Sequence, residues 1–151
     1  MTQTTGGYST EQLREELDSL ALASFSAADA VALGLLATDR AIEAGLPIVI
    51  EVDHLGRLAY RAVLPGALPD SDDWIARKRR VVRRYATSTL AVKVKYQERG
   101  TTFNESTGLS ELEYAAHGGG LPIMVTGVGV AGAIYASGLP EAVSYTHLTL
   151  P

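Results

Sequence analysis

The chain of 151 residues contains no cysteine. Thiolate catalysis, disulfide bonds and cysteine-ligated zinc or iron–sulfur centres are therefore excluded, and the absence suits a cytoplasmic protein. Histidine is scarce, with three residues. There is no Ser-His-Asp order, no His-x-x-x-His pair and no phosphate-binding loop. No apolar run reaches the length of a membrane span, and residues 1–7 have neither the basic nor the apolar region of a secretory signal. The reading is of no membrane partner. A formal net charge of −4 argues against general nucleic-acid binding, which favours basic chains.

What remains is a globular composition, 46% hydrophobic and 20% charged, long enough for one domain with a real core. Ser9 with Gln12 reads as the cap of a first helix through about Leu22, and Ser26 with Asp29 as that of a second ending at Gly45. The first half of the second helix, Ala27 to Ala37, is small and apolar nearly all round, so it is expected to pack closely on every side. Strands are expected over Pro47–Asp53 and Arg57–Val63, joined through His54-Leu55-Gly56, and over Leu121–Thr126 and Val128–Ser137. A helix opens at Trp74, capped by Asp72 or Asp73, and after a break Thr87–Arg99 continues helical. Ser110 with Glu113 caps a short helix before Gly118. Two antiparallel hairpins with helices between them imply an α+β layered fold. The glycines from Gly127 to Gly132 look at first like a dinucleotide fingerprint, but they lie in a strand with no helix following.

Two stretches could carry chemistry. Tyr114-Ala-Ala-His-Gly-Gly-Gly-Leu-Pro-Ile123 places His117 beside three glycines that let a ligand approach the main chain. His117 is either a metal ligand or proton carrier, or an exposed histidine next to a glycine-rich helix end. In the basic helix, Trp74, Ile75, Val81, Val82 and Tyr85 share one face, and Arg77, Arg79, Arg80, Arg83 and Arg84 form a solvated or intersubunit face opposite. Lys78 falls within the apolar arc, where a lysine needs a partner or a ligand. Asp70, Asp72 and Asp73 offer too few converging oxygens for a hard cation, and His54 is expected to be solvated.

Leu64-Pro-Gly66, Trp74-Ile-Ala-Arg-Lys78-Arg-Arg-Val81, Tyr114 to Ile123 and Ser137-Gly-Leu-Pro140 together resemble the blocks of the UPF0303 group of the haem-degrading domain family, with its HbpS-like and GlcG-like members. The resemblance spans Leu13 to Pro140. It implies a profilin-like, three-layer α/β/α domain with an antiparallel sheet that assembles as a homo-oligomer. It also implies a cytosolic binding protein or slow enzyme for haem or a similar anionic cofactor. In that reading His117 is the axial metal ligand, Tyr114, Gly118 and Gly119 accompany it, and Arg77 and Lys78 meet propionates or another small anion. The alternative is a non-enzymatic oligomeric interaction module. Nucleic-acid binding through the arginine helix is a distant third.

Two departures from the group stand out. Leu121 occupies a position usually aromatic. After Pro140 an acidic run and an Asp-His pair normally open a C-terminal helix, whereas here Glu141-Ala-Val143 leads into Ser144-Tyr-Thr-His-Leu-Thr-Leu-Pro151. That tail, with His147, resembles translated sequencing-adapter sequence. The domain is therefore set at residues 9–143, with its last helix expected to be missing.

Overall fold

The computed structural model describes residues 7–139. The expected end of the domain at Val143, the helix expected to be missing and the adapter-like tail from Ser144 lie outside them. Five helices and four strands follow in the order α1 (Thr10–Ser19), α2 (Ala27–Glu43), β1 (Val49–His54), β2 (Arg57–Val63), α3 (Asp70–Tyr85), α4 (Thr89–Glu98), α5 (Phe103–Thr107), β3 (Gly120–Val125) and β4 (Gly129–Ser137). The sheet is antiparallel throughout, in the order β2-β1-β4-β3. Both hairpins are thus present, and β1 pairs with β4 to join them.

Local signals account for most of these elements. The Ser9 side chain accepts from the Gln12 amide. Ser26 and Asp29 complete a reciprocal capping box, in which hydrogen bonds from Ser26 hold the Asp29 carboxyl below the usual carboxylate range. Leu55 and Gly56 both have positive φ, 50° and 80°, as a two-residue hairpin turn of the favoured hand requires. Pro122 sits in β3, an edge strand where a missing amide is tolerated. Gly132 is needed for close approach, because a Cβ there would stand 2.3 Å from the Asp53 carbonyl oxygen across the sheet.

Strand alternation divides the core in two. Ile50, Val52, Ile134, Ala136, Leu121 and Ile123 face α1, α2 and α4 and form the larger cluster. Val49, Ala133 and Tyr135 face Ile75 and Val82 of α3 on the other side. A third cluster, around Val81, Val92, Tyr96 and Phe103, joins α3, α4 and α5. Helices cover both faces of the sheet, giving the three layers expected.

Five expectations need correction. Helix α3 starts at Asp70, not Trp74, and its N-cap is Pro69, with no side-chain cap bond. Asp70, Asp72 and Asp73 therefore lie in the first turn, where their charges meet the positive end of the dipole. No helix precedes the glycines. Ser110 instead closes a turn, its carbonyl accepting from the Glu113 and Tyr114 amides, while a short helix not foreseen, α5, forms earlier behind a Thr102 cap. The all-apolar half of α2 is not enclosed, since Val31, Leu35 and Leu36 are exposed. The arginines of α3 form a solvated face only in part: Arg80, Arg83 and Arg84 are exposed, while Arg77 and Arg79 are half-buried. Arg79 pairs with the buried Glu51, and Arg83 lies 3.5 Å from Asp53. Arg80 donates to the Glu113 carbonyl at 3.0 Å. Finally, His54 is half-buried at the end of β1, its ring 5.8 Å from that of Phe25.

Candidate functional site

The N-terminal half of α3, the end of β4 and the loop before β3 enclose a cleft of about 500 Å³, within the range of small-molecule sites. Trp74 and Lys78 enter it from α3, His117 and Gly118 from the loop, and Ser137 from β4. Leu68 and Leu139 supply apolar wall.

Each group is held by its own chain. Lys78 stands three residues after Ile75, so α3 turns it inward with the core positions. It is only 4% exposed, and its Nζ donates to the Ala136 carbonyl at 3.2 Å, which offsets part of the cost of burying an ammonium. Trp74 is fixed through Nε1, which donates to Asp70 Oδ2 at 3.0 Å. Its ring meets the His117 ring edge-on, with centroids 5.6 Å apart at 75°. On the far side of His117, Nε2 lies 3.6 Å from Glu111 Oε1. A second cleft of about 640 Å³, lined by Gln97, Phe103 and Glu111, also reaches this imidazole. His117 therefore stands in the wall between two clefts.

The loop that carries His117 is laced to α3. Arg77 donates to the Glu111 carbonyl at 3.4 Å, and the Ala115 amide donates to the Arg77 carbonyl at 3.4 Å. The Arg77 guanidinium pairs with Asp73 and stacks 4.6 Å above the Trp74 ring.

Of the six residues singled out from sequence, Lys78, His117 and Gly118 line the cleft. The other three stand outside its lining. Arg77 braces Trp74 and the loop. Tyr114 packs with the α3–α5 cluster, its ring 5.8 Å from the Arg84 guanidinium. Gly119, at φ 123°, offers its carbonyl to the Ala136 amide at 2.8 Å and fastens the loop to β4. Trp74, Ser71 and Ser137 were missed as site residues. Trp74 shares the helical face of Lys78, the one local sign that it belonged there.

Among the described residues no three of His, Asp and Glu converge as a metal cluster, and no helix is long and apolar enough to cross a membrane.

An α+β domain with a histidine and a lysine converging on one cleft is the class that fold and site define. A family model described as "Haem degrading protein HbpS-like" matches residues 25–144, and the chain belongs to that family. A UPF0303 protein of Streptomyces coelicolor is 45% identical over 130 residues, 86% of this chain and 82% of the relative. The crystal structure of the Ybr137w protein superposes with a TM-score of 0.86 at 25% identity, covering 94% of this chain and 85% of that one. The crystal structure of a PduOC–haem complex shares the fold, with a TM-score of 0.65 at 20% identity, over 85% of this chain and 90% of that one.

Proposed function

We propose that this protein is a cytoplasmic binding protein or slow enzyme for haem, held in the cleft between α3 and the His117 loop. The observation that carries the reading is the convergence of His117, Trp74 and Lys78 on one cavity. The family description supports it.

The donor set fits the cofactor. One imidazole cannot hold a bare metal ion, but haem brings its own ring nitrogens, and His117 would be the residue that holds its iron. Lys78 would meet a propionate as a point charge, and Ser71 and Ser137 are placed to add hydroxyl bonds. Trp74, Leu68 and Leu139 would cover porphyrin surface. When bound, haem supplies an iron centre for oxygen or electron-transfer chemistry.

The chain's own work is to orient and shield. The Asp70–Trp74 bond fixes the indole, and the indole edge limits rotation of His117. Glu111 competes for the same imidazole nitrogen, so ligation at Nε2 requires that contact to open. Arg77 acts through Trp74 and the loop and is a positioning residue. Tyr114 and Gly119 are likewise not assigned to ligand contact.

Haem titration followed by absorbance tests this reading. The expected result is a saturable, one-to-one Soret shift that His117→Ala abolishes and Lys78→Met weakens by about tenfold, the loss of one charge-assisted contact. A shift indifferent to both substitutions, or none, removes haem and leaves the interaction module.

A further inference from the structure

The second cleft, of about 640 Å³, lies behind the His117 loop, between it and the helices α4 and α5. It belongs to the same end of α3 as the first cleft, because the loop that divides the two is bonded to Arg77. Its lining is different in kind. Lys93 and Gln97 stand four residues apart on α4 and face the cleft together. Glu111 and His117 come from the loop, and the buried Phe103 and Ala116 give it an apolar floor.

One atom here has no role in the fold. The side-chain oxygen of Gln97 is buried and accepts no hydrogen bond among the described residues. A buried acceptor without a donor is costly, and native structures rarely leave one.

We propose that the second cleft binds a free α-amino acid with an apolar side chain, its ammonium donating to Gln97 and its carboxylate meeting Lys93. The inference is independent of the haem reading.

Charge narrows the choice of ligand. The titratable groups that line the cleft are Lys93, Glu105, Glu111 and His117. Two carboxylates disfavour a plain anion, and the lysine disfavours a plain cation. A zwitterion satisfies both signs. Its ammonium supplies the donor that Gln97 Oε1 lacks and has Glu111 as counter-charge, while its carboxylate reaches one helical turn back to Lys93. The side chain then lies over Phe103 and Ala116, an apolar floor beneath a few placed polar groups.

The walls are set before any ligand arrives. Asn104 Nδ2 donates to the Leu109 and Tyr114 carbonyls at 2.9 and 3.1 Å. The Phe103 ring is held edge-on by Tyr85 and Tyr96, with centroids 5.6 and 5.8 Å away. Little has to be ordered on binding, which lowers its entropic cost.

Calorimetric titration of the full chain with L-valine, L-leucine, L-methionine and L-phenylalanine, without haem, tests the proposal. At least one should saturate at one molecule per chain. For that amino acid, the matching acid without its amino group and the matching amine without its carboxyl should each bind about tenfold more weakly or worse. Gln97→Met keeps the length of the side chain and removes the acceptor. It should weaken binding about tenfold without lowering the melting temperature of the ligand-free chain, whereas loss of a purely structural residue would lower it. Lys93→Met should also cost about tenfold. Lys95→Met, on the same helix but outside the cleft, should bind as wild type does. No saturation with any of the four, an analogue that binds as well as its amino acid, or full affinity in both Gln97→Met and Lys93→Met would each overturn the proposal.

Discussion

The two faces of the sheet are built on opposite rules. Toward α1, α2 and α4, every buried strand side chain is apolar, from Ile50 and Val52 to Ile134 and Ala136. Toward α3, the same strands present Glu51, Asp53, Tyr135 and Ser137, all buried. Ionic groups are costly there unless paired. The pairing changes along α3. At its C-terminal half Arg79 and Arg61 meet Glu51, and Arg83 approaches Asp53. Lys78, at the middle of the helix and one residue before Arg79, instead donates to the Ala136 carbonyl beside the cleft. One face secures the fold, and the other carries both an ionic lattice and the candidate site.

The largest expected effect lies on the apolar face. Ile50 is fully buried, so Ile50→Ala should cost about 2–5 kcal/mol, read as a drop in the urea midpoint at constant slope. A loss below about 1 kcal/mol would mean that this face is loosely packed and that the contrast is false.

The second effect depends on pH. Burial raises the ionisation of Asp53 above its ordinary value of 3.8, against the attraction of Arg83 and Arg79. The folded state then keeps a proton that the unfolded chain has already lost, so this group contributes stability at low pH and loses it as pH rises through the folded value. Asp53→Asn should therefore improve relative to wild type between pH 4 and pH 7 in parallel denaturant titrations. A flat or reversed difference would show that its arginines fully compensate the burial.

The smallest effect is expected at Tyr135. Its hydroxyl is buried beside the Asp53 carboxylate, without a hydrogen bond of regular geometry, and burial and Asp53 keep it from ionising. Removing a desolvated group with so weak a contact costs little, and a phenyl ring would keep the contact with the Arg79 guanidinium, now 5.5 Å from the ring centre. Tyr135→Phe should change the melting free energy by less than about 1 kcal/mol, toward stability. A larger loss would show that the hydroxyl bonds the Asp53 carboxylate, directly or through an ordered water in the small cavity that the two share with Arg83.

How far these contrasts could be read from sequence depends on range. The Ser26–Asp29 box and the strand Arg57–Val63 rest on neighbouring residues and were legible to within a residue. The start of α3 was not, because Pro69 stands in helical conformation at the cap, φ −56° and ψ −27°, a position where a bonding side chain is the usual signal. The turn at Ser110 carries the same Ser-x-x-Glu spacing as a capped helix, and only the arginine bonds from α3 settle it. Periodicity placed the arginines on one helical face but could not place Glu51 and Asp53 opposite them, since that depends on how the sheet docks. At the site, His117, Gly118 and Lys78 were legible as a glycine turn and a misplaced cation. Ser71, Ser137 and Leu139 were not, for they come together only in three dimensions.

The central claim is that ligand chemistry is confined to the N-terminal end of α3. It is tested most directly by one absorbance titration with haem on wild type, His117→Ala and Arg83→Ala, a residue of the same helix at its paired end. The account predicts a Soret shift saturating at one haem per chain in wild type and Arg83→Ala, and none in His117→Ala. Loss of the shift in Arg83→Ala with retention in His117→Ala would contradict it.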